Sequence, residues 1–432
     1  MKISNYNILT PTQNDEQVAA FNTLSGALMT LDPETDDQVI RVLSGHKDHS
    51  TLPESKLQIL RENGYMIEDE FNELNYLKVK SWTERFTTDK LHLSILTTLD
   101  CNFDCPYCFE PHRKEFLSEE VQQNIVKFVD NKSNSISSLS IDWYGGEPLL
   151  NFKAIRYLSS RLMSLCDSKG IDYTCSMTTN GYLLTPKIIS ELKEMRCKYL
   201  QITVDGPPDV HNKTRRLVNS SVPTFNRVLG NALDASEYFD VYIRANVDET
   251  TISRIPELID ILSRYGVKPN IVLSIKSILS ADIRPYDDMR VDQFARRVKD
   301  FYVYAQSKGV NVGYQLIPTA DRFCIVDSAY QFMISPNGRM FKCSESFSDA
   351  DSVGNINNDG SYDLNFDRWS RWMSKDPFSD ADCLKCKVLP LCFGGCSLKR
   401  LEKGGDWCTE LKYNIRDQIR LHCELVQLQE GR

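Results

Sequence analysis

The chain has 432 residues, of which 41% are hydrophobic and 25% are charged, and its formal net charge is −8. These fractions are typical of a globular protein, and the length predicts two or three domains rather than one small core. The negative net charge argues against a nucleic-acid partner, since such proteins usually present a basic face. We see no apolar run typical of a signal peptide or a membrane span, so we expect a cytoplasmic protein without a membrane partner. In that compartment, 14 cysteines indicate metal ligation rather than disulfides.

Residues 1–85 lack cysteine and are predicted to form a separate unit. A hairpin is expected from 18–22 and 27–31, turning at Leu24-Ser25-Gly26. Helices are expected over 34–43, 54–62 and from about 69 to 82, with a short wing strand at 65–67. A hairpin with three short helices resembles the winged-helix peptide-recognition unit fused to many peptide-modifying enzymes. The alternative is that this unit only packs against the rest of the chain.

Between residues 90 and 310, strand-like and helix-like segments alternate. The predicted strands are 91–98, 139–143, 173–178, 199–204, 241–247 and 270–275. The intervening helices are indicated by Val121, Ile125, Phe128 and Val129 on one helical face, by Thr185 and Pro186 at a helix start, and by the segment 256–265 before Gly266. This alternation is typical of an α/β fold with a parallel sheet, and six units predict an open, partial (β/α)6 barrel.

Three cysteines follow the first predicted strand, in the spacing Cys101-x3-Cys105-x2-Cys108. Three thiolates can hold three corners of a cubane [4Fe-4S] cluster, which leaves the fourth iron open to a small molecule. The spacing differs from the paired Cys-x-x-Cys units of structural zinc sites, although buried or zinc-bound cysteines are the alternative. With Tyr107 before the third cysteine, the motif resembles that of the radical S-adenosylmethionine (radical SAM) enzymes.

The C-terminal part carries a second cysteine pattern, which consists of Cys324, Cys343, the run Cys383-x2-Cys386-x5-Cys392-x3-Cys396, and Cys408. This pattern resembles the SPASM domain, an iron–sulfur extension of many radical SAM enzymes, and the alternative is a zinc ribbon over 383–408. The resemblance implies that residues 311–432 bind two auxiliary [4Fe-4S] clusters. The inner cluster would be bound by Cys324, Cys343 and Cys396, and the outer cluster by Cys383, Cys386, Cys392 and Cys408.

The inner set is one cysteine short, since position 330, where some relatives have a cysteine, is Tyr. This leaves an open iron, another protein ligand such as Cys423, or a substrate thiolate. Cys423 is more compatible with packing in a helix over 415–428. The cysteines at 166, 175 and 197 have no metal spacing and are expected to be structural.

Ligands of parallel α/β folds gather at the carboxyl ends of strands, and several motifs fall there. Gly145 and Gly146 let the backbone approach a ligand, and Glu147 can accept hydrogen bonds from an ammonium group. The resemblance assigns this Gly-Gly-Glu-Pro motif to the methionyl amine of SAM. It also implies SAM contacts from residues at other strand ends, namely Asn180, Thr203, Arg216 (with Arg215 as its competitor) and Asn246. The alternative is that these residues cap strands. His211 is expected to be a structural hydrogen-bonding residue.

The resemblance implies SAM as a cofactor and an external electron donor such as flavodoxin or ferredoxin. It also implies a maturase of ribosomally synthesised precursor peptides. Residues 1–85 of this chain would then bind the leader segment of the peptide. The expected product is a thioether or a carbon–carbon crosslink. One alternative is formylglycine formation, as in sulfatase maturases, but those enzymes typically have Asp after the second auxiliary cysteine, where this chain has Ser344. The other alternative is an iron–sulfur electron-transfer protein without SAM chemistry.

Overall fold

The computed structural model describes residues 1–12, 16–110, 112–266, 270–278, 288–313, 324–403 and 408–430. Within these ranges the elements form an N-terminal group, a central group of alternating strands and helices, and a C-terminal group of short elements. No helix in the described ranges is both long and apolar enough to cross a membrane.

The N-terminal group is built on an antiparallel sheet with three helices. Its elements are β1 (Lys2–Ile3), β2 (Asn7–Pro11), β3 (Val18–Asn22), β4 (Leu28–Leu31), α1 (Asp37–Leu43), α2 (Glu54–Glu62), β5 (Met66–Ile67) and α3 (Glu73–Phe86). Strands β2, β3 and β4 pair in that order, and β5 pairs with β1. The predicted hairpin and helices are confirmed, although α1 begins later than expected. The sequence did not predict β2, because its buried Asn7 and Thr10 hide the apolar pattern of a strand.

The central group is an open parallel sheet with helices between its strands. Its strands are β6 (Lys90–Leu96), β7 (Ser138–Tyr144), β8 (Asp172–Thr179), β9 (Cys197–Thr203), β10 (Asp240–Val247) and β11 (Ile271–Ser277). Its helices are α4 (Glu119–Lys132), α5 (Phe152–Lys169), α6 (Pro186–Glu194), α7 (Pro208–Thr214), α8 (Phe225–Ala235), α9 (Ile255–Arg264) and α10 (Asp288–Ser307). The six strands are parallel and neighbours in chain order. The predicted six-unit α/β architecture is therefore confirmed.

The two faces of this parallel sheet differ in chemistry. In β7, Ile141 and Trp143 are buried in the main apolar core, which continues into the flanking helices. Asp142 and Tyr144 alternate with them and are half-buried on the opposite face. Strands covered by helices on both faces usually carry a continuous apolar run. The alternation in β7 therefore indicates that the face with Asp142 and Tyr144, the inner face of the barrel, lines a polar space.

The C-terminal group extends the same sheet. Its elements are β12 (Gln331–Ile334), β13 (Arg339–Phe341), β14 (Gly354–Ile356), β15 (Tyr362–Leu364), α11 (Phe366–Met373), α12 (Ala381–Lys385), α13 (Leu389–Cys392), α14 (Ser397–Lys403) and α15 (Leu411–Glu430). Strand β12 pairs in parallel with β6, and β13, β14 and β15 continue antiparallel, giving ten strands in one sheet. The sheet therefore crosses the predicted domain boundary at residues 310 and 311.

The N-terminal and C-terminal groups share an apolar core. Ile8 and Phe21 of the N-terminal sheet pack in one cluster with Ile415 and Ile419 of α15. A second cluster joins Tyr6 to Leu389. The unit predicted over residues 1–85 is therefore docked on the cysteine-rich region, at the far end of the chain.

Candidate active site and cysteine clusters

A cavity of about 230 Å³ lies where the central strands end. Its lining includes Cys101, Cys105, Tyr107, Cys108, Gly145, Gly146, Asn180, Thr203 and Asn246, all of which the sequence predicted as cluster or SAM residues. These residues come from four strand ends and from the loop after β6. The parallel topology thus brings the separate sequence motifs to one side of the sheet, as expected for a ligand site in such a fold.

The three thiols of the loop after β6 lie in a partly buried environment. Burial raises the pKa of Cys101 to about 12, with a smaller contribution from Glu147, and raises the pKa of Cys105 to about 11. Such thiols lose their protons when a metal binds, because the metal stabilises the thiolate that burial disfavours. Three cysteine sulfurs facing one cavity fit a [4Fe-4S] cluster with one position open to a ligand.

Gly145 and Gly146 pack directly against the start of the cysteine loop. The amide of Gly146 donates to the carbonyl of Thr98 at 3.1 Å. A Cβ at Gly145, where φ is +118°, would lie 2.2 Å from that carbonyl oxygen, and a Cβ at Gly146 would lie 2.4 Å from the carbonyl oxygen of Asp100. Only glycine allows this approach, so the two residues hold the cysteine loop against the end of β7.

The buried carboxylate of Glu147 joins two loops at the edge of the cavity. One oxygen accepts hydrogen bonds from Thr179 Oγ1 at 2.7 Å and from the Leu149 amide at 3.0 Å, and the other accepts from the Asn180 amide at 2.8 Å. Glu147 is fully buried. It therefore fixes the loops after β7 and β8, and its contact with the amine of SAM stays a prediction.

Tyr107, Asp205 and Arg215 form a buried polar group beside the cavity. The Tyr107 hydroxyl donates to Asp205, and Arg215 Nη1 donates to the Tyr107 hydroxyl at 3.2 Å. Asp205 also accepts from the Asn246 amide at 3.1 Å. This group connects the cysteine loop to the ends of β9 and β10.

Arg216 does not belong to this buried group, whereas its predicted competitor Arg215 does. The Arg216 side chain is 56% exposed and pairs with Asp104 at 2.8 Å, while Arg215 lines the cavity. The two neighbours point in different directions, and the sequence alone did not indicate which one turns inward.

Asn180, Thr203 and Asn246 lie where the sequence placed them. Asn180 is buried, and its side-chain amide donates to Asn102 Oδ1 at 2.8 Å, next to Cys101. Thr203 is buried at the end of β9, and Asn246 lies near the end of β10. Asn180 therefore helps to hold the cysteine loop in addition to facing the cavity.

The sequence missed further cavity residues, of which Glu110 is the most unusual. Its carboxyl is largely buried, which raises its pKa to about 7, and its Oε2 has no hydrogen-bond partner among the described residues. Ser344 and Glu345 also line the cavity, bringing the C-terminal region into the site. Their positions in the sequence could have indicated these residues. Glu110 stands two residues after Cys108, and Ser344 and Glu345 directly follow Cys343.

The four cysteines predicted for the outer cluster surround one small cavity. Cys383, Cys386, Cys392 and Cys408 line a volume of about 20 Å³ together with Arg400 and Lys412. Arg400 Nη2 lies 3.2 Å from Cys383 Sγ, and Lys412 Nζ lies 3.1 Å from Cys408 Sγ. Four thiols with cationic donors fit a cluster ligated by protein at every iron.

The three cysteines predicted for the inner cluster lie near one another. Burial raises the pKa of Cys343 to about 12, and nearby Cys324 and Cys396 add to the shift. A buried ion pair lies beside them, with Lys375 Nζ 3.3 Å from Asp327 Oδ1. Among the described residues, no three Cys, His, Asp or Glu side chains converge closely enough to hold a single metal ion.

The remaining cysteines are packed in apolar cores. Cys166, Cys175 and Cys197 are buried in the main core, and Cys423 is buried in the core shared by α15 and the N-terminal sheet. His211 is also buried, and neither ring nitrogen has a hydrogen-bond partner in the part of the chain that the structure describes. Its ring packs edge-on against Phe225 with centroids 5.6 Å apart, so the predicted hydrogen-bonding role is replaced by packing.

Residues 95–262 match the family model of the radical SAM superfamily. The chain therefore contains a radical SAM domain. It is 24% identical to the radical SAM cyclopropyl synthase TigE of Paramaledivibacter caminithermalis, over 96% of this chain and 92% of that protein. It is 23% identical to the cysteine-type anaerobic sulfatase-maturating enzyme of Clostridium perfringens, over 72% of this chain and 90% of that enzyme.

The fold of this radical SAM enzyme is similar to that of Streptococcus suis SuiB, solved in complex with the precursor peptide SuiA. The TM-score is 0.51 at 16% identity, and the match covers 95% of this chain and 98% of SuiB. The match of residues 95–262 to the radical SAM superfamily favours an enzyme over the alternative of an electron-transfer protein without SAM chemistry.

Proposed function

We propose that this radical SAM enzyme is a maturase that modifies a ribosomally synthesised precursor peptide. The observation that carries the proposal is the cavity that joins the three-cysteine loop, four strand ends and the cysteine-rich C-terminal region. TigE, the sulfatase-maturating enzyme and SuiB support it, since the first two are named as a synthase and a maturating enzyme and SuiB was solved with a precursor peptide.

The residues of the cavity have distinct roles in this proposal. Cys101, Cys105 and Cys108 would hold a [4Fe-4S] cluster, and the backbone at Gly145 and Gly146 would face bound SAM. Once bound, cluster and SAM supply a 5′-deoxyadenosyl radical that takes a hydrogen atom from the substrate. An external donor such as flavodoxin or ferredoxin would provide electrons.

The cysteine-rich region would hold two auxiliary [4Fe-4S] clusters. The outer set has four cysteines around its cavity, whereas the inner set has Cys324, Cys343 and Cys396. Cys423 cannot complete the inner set, because it is buried against Ile8 and Phe21. A soft thiolate suits an open iron, so a substrate cysteine is the natural fourth ligand.

We further propose that the leader of the precursor peptide binds to the edge of β4. The other edge of that sheet, β2, is closed by the C-terminal region: Arg416 donates to the Leu9 carbonyl at 2.6 Å, Arg420 to the Pro11 carbonyl at 2.9 Å and Lys387 to the Asn7 carbonyl at 2.7 Å. Strand β4 pairs only with β3 in the described structure. An extended peptide can add to such an edge through backbone hydrogen bonds.

The free edge can be tested at one residue. The Asn22 amide bonds to the Ala27 carbonyl at 2.9 Å, and antiparallel pairing alternates, so the amide of Thr30 faces away from β3. Thr30→Pro removes this outward donor while sparing the bonds to β3. We expect peptide processing to fall at least about tenfold, the equivalent of about 1.4 kcal/mol in binding, while SAM cleavage without peptide is unchanged.

Thr30→Val keeps the amide and is the matched control, which should process the peptide normally. Equal processing by Thr30→Pro and Thr30→Val would show that the leader does not use this edge. Binding can be measured by fluorescence anisotropy with a labelled leader peptide, separately from turnover.

The proposed product is a thioether between a substrate cysteine and a carbon atom. The deoxyadenosyl radical would take the carbon-bound hydrogen atom, the thiol would lose its hydrogen as a proton, and the electron released when the carbon–sulfur bond forms would pass to an iron–sulfur cluster. The product is therefore lighter than the precursor by two hydrogens. A carbon–carbon crosslink has the same mass but leaves every cysteine free. Mass spectrometry after alkylation therefore separates the two: a two-hydrogen loss with all cysteines alkylated would contradict the thioether.

Formylglycine formation is the second candidate, favoured by the similarity to the sulfatase-maturating enzyme. Ser344 stands where a carboxylate is typical of that reaction, although Glu345 lines the same cavity. A substrate peptide with a cysteine-type sulfatase motif distinguishes formylglycine formation from crosslinking. If its cysteine is converted to an aldehyde, the aldehyde reacts with a hydrazide probe. We expect no hydrazide adduct.

A further inference from the structure

A buried ion pair lies next to the cysteines of the C-terminal region. Lys375 Nζ is 3.3 Å from both carboxylate oxygens of Asp327, and the two side chains are only 4% and 8% exposed. The ammonium also donates to the Gly395 carbonyl at 2.7 Å, and the Ser397 hydroxyl donates to Asp327 Oδ1 at 2.7 Å. Protein groups therefore hold both charges away from water, where their fields are less screened than at the surface.

The carboxylate end of the pair lies beside the inner cysteine set. The amide of Asp327 donates to the Cys324 carbonyl at 2.8 Å, and Ser397, which donates to the carboxylate, directly follows Cys396. Burial raises the pKa of Cys324, the charge of Asp327 adds to this shift, and Lys375 opposes it more weakly. The pair therefore acts on Cys324 as a net negative charge.

The ammonium end of the pair reaches the outer cysteine set. Lys375 holds the carbonyl of Gly395, whose amide donates to the Cys392 carbonyl at 3.0 Å. Burial raises the pKa of Cys392 as well, and the charge of Lys375 opposes this shift. Only residues 393–395 separate Cys392 from Cys396 of the inner set. The pair thus lies where the two sets meet, with its positive end toward the outer one.

This orientation acts in opposite directions on two clusters. One-electron reduction adds one negative charge to an iron–sulfur cluster, so a nearby anion lowers the reduction potential and a nearby cation raises it. An electron moves spontaneously from the cluster of lower potential to the cluster of higher potential. The orientation of the pair therefore favours electron transfer from the inner cluster to the outer one.

We propose that the ion pair of Asp327 and Lys375 separates the reduction potentials of the two auxiliary clusters, lowering the potential of the inner cluster and raising that of the outer one. The inference rests on the proposed ligation of both clusters. Both are positioning residues, since they ligate no iron and act through the cysteines beside them. An electron that arrives at the inner cluster is thereby passed on to the outer one.

The variant that tests the pair combines Asp327→Asn with Lys375→Met. It removes both charges together, so the net charge is unchanged and no unpaired charge stays buried. Arg85 and Lys342, the other buried cations near Asp327, are retained, so the comparison isolates the pair.

Midpoint potentials are measured by redox titration followed by electron paramagnetic resonance. The full-length protein carries alanine at the three barrel cysteines, so that only the auxiliary signals remain, and Cys386→Ser identifies the outer one. We expect the potential of the inner cluster to rise and that of the outer cluster to fall in the double variant. The equilibrium constant for electron transfer from inner to outer cluster should fall at least tenfold, a change of about 59 mV in the difference between the two one-electron potentials.

Opposite shifts distinguish this role from a structural one. A general loosening of the region would expose both clusters to water and change both potentials in the same direction. Unchanged potentials in the double variant, or shifts of both clusters in one direction, would therefore overturn the inference.

Two further variants complete the test. Asp327→Asn alone, which serves if the double variant does not assemble its clusters, should raise both potentials and raise that of the inner cluster more; a larger rise at the outer cluster contradicts the inference. Lys385→Met removes an exposed cation from α12, and solvent screening predicts little change. Fewer than two auxiliary signals in the parent protein would overturn the cluster ligation itself, which is a separate result.

Discussion

The barrel cavity and the outer cysteine site are both lined by cysteines, yet they differ in volume and in ligand number. Three cysteines face a space of about 230 Å³ in the barrel, and four surround about 20 Å³ in the C-terminal region. With a cluster bound, the larger site would retain room for a second molecule, while the smaller one would leave little space beside the cluster. The number of cysteines and the free volume are therefore consistent with the proposed division between a site for chemistry and a site for electrons.

The charges around the two sites also differ. Cys101 is influenced by the buried carboxyl of Glu147, and the carboxyl of Glu110 lines the same cavity. In the outer site Arg400 and Lys412 donate to two of the sulfurs. Anionic groups disfavour additional negative charge and cationic groups favour it, so we expect the barrel cluster to have the lower reduction potential.

The largest effect is expected from replacing the barrel cysteines. Cys101→Ala, Cys105→Ala and Cys108→Ala together should reduce SAM cleavage to background, since these three thiols are the proposed ligands of the cluster that would bind SAM. Iron should fall from about twelve to about eight per chain, because each cube contains four irons. Formation of 5′-deoxyadenosine and iron content are the two measurements.

The matched variant removes the outer set, Cys383, Cys386, Cys392 and Cys408, by alanine substitution. It should lose the same amount of iron but still cleave SAM. Undiminished 5′-deoxyadenosine from the barrel variant would contradict the difference between the two sites. Stoichiometric zinc in anaerobically purified protein would instead identify the C-terminal cysteines as a zinc module.

The second effect concerns the close approach of the glycine loop to the cysteine loop. Gly146→Ala places a Cβ 2.4 Å from the Asp100 carbonyl oxygen, so the loop must move. We expect SAM affinity to fall at least tenfold, about 1.4 kcal/mol, with auxiliary iron retained. Isothermal titration calorimetry measures the affinity.

Gly170→Ala is the control for this substitution. Gly170 has a φ of +69° but nothing within 4 Å of its Cβ position, so alanine costs about 1 kcal/mol of stability without reaching the cavity. Loss of SAM binding in Gly170→Ala of the same size as in Gly146→Ala would mean that the effect reflects general destabilisation.

The third effect concerns Arg85, which anchors α3 in the cysteine-rich region. Its guanidinium donates to the carbonyls of Asp327, Lys375 and Met373 at 3.0, 2.9 and 2.9 Å. Arg85→Met leaves these carbonyls unpaired, so we expect a loss of about 3 kcal/mol in unfolding free energy and lower auxiliary iron.

Calorimetry and iron analysis of Arg85→Met provide the test, with Arg61→Met as an exposed control. SAM affinity in the barrel should be preserved. Equal loss of barrel and auxiliary iron in Arg85→Met would show that Arg85 stabilises both sites and not only the cysteine-rich region.

The smallest effect is expected at Asp142 on the polar inner face of the barrel. Burial raises its pKa from 3.8 to about 6, although Ser176 donates to it at 2.9 Å. The folded state therefore holds the proton more tightly than the unfolded state, and this stabilisation is lost as the pH rises from about 4 through about 6. Asp142→Asn should equal the wild type near pH 4 and exceed it above pH 6, by up to about 3 kcal/mol.

Melting temperatures of both proteins across this pH range measure the difference. A constant difference from pH 4 to pH 8 would show that Asp142 is ionised throughout. The same series on Gly170→Ala should show no such pH dependence.

The sequence by itself determined the alternating α/β architecture and the grouping of cysteines that share a cavity. The six strands and the capped helix after Thr185 follow from local patterns, since apolar periodicity and capping act over a few residues. Cysteine spacing is likewise local, and two of the three predicted cysteine sets line cavities of the structure.

Only the tertiary structure decided the contacts between distant segments. Whether Arg215 or Arg216 turns inward depends on Tyr107 and Asp205, which lie on other loops. The position of β12 next to β6 and the closure of β2 by α15 are pairings over hundreds of residues. Local patterns carry no record of such partners, because their free energy arises from surfaces that meet only when the chain has folded.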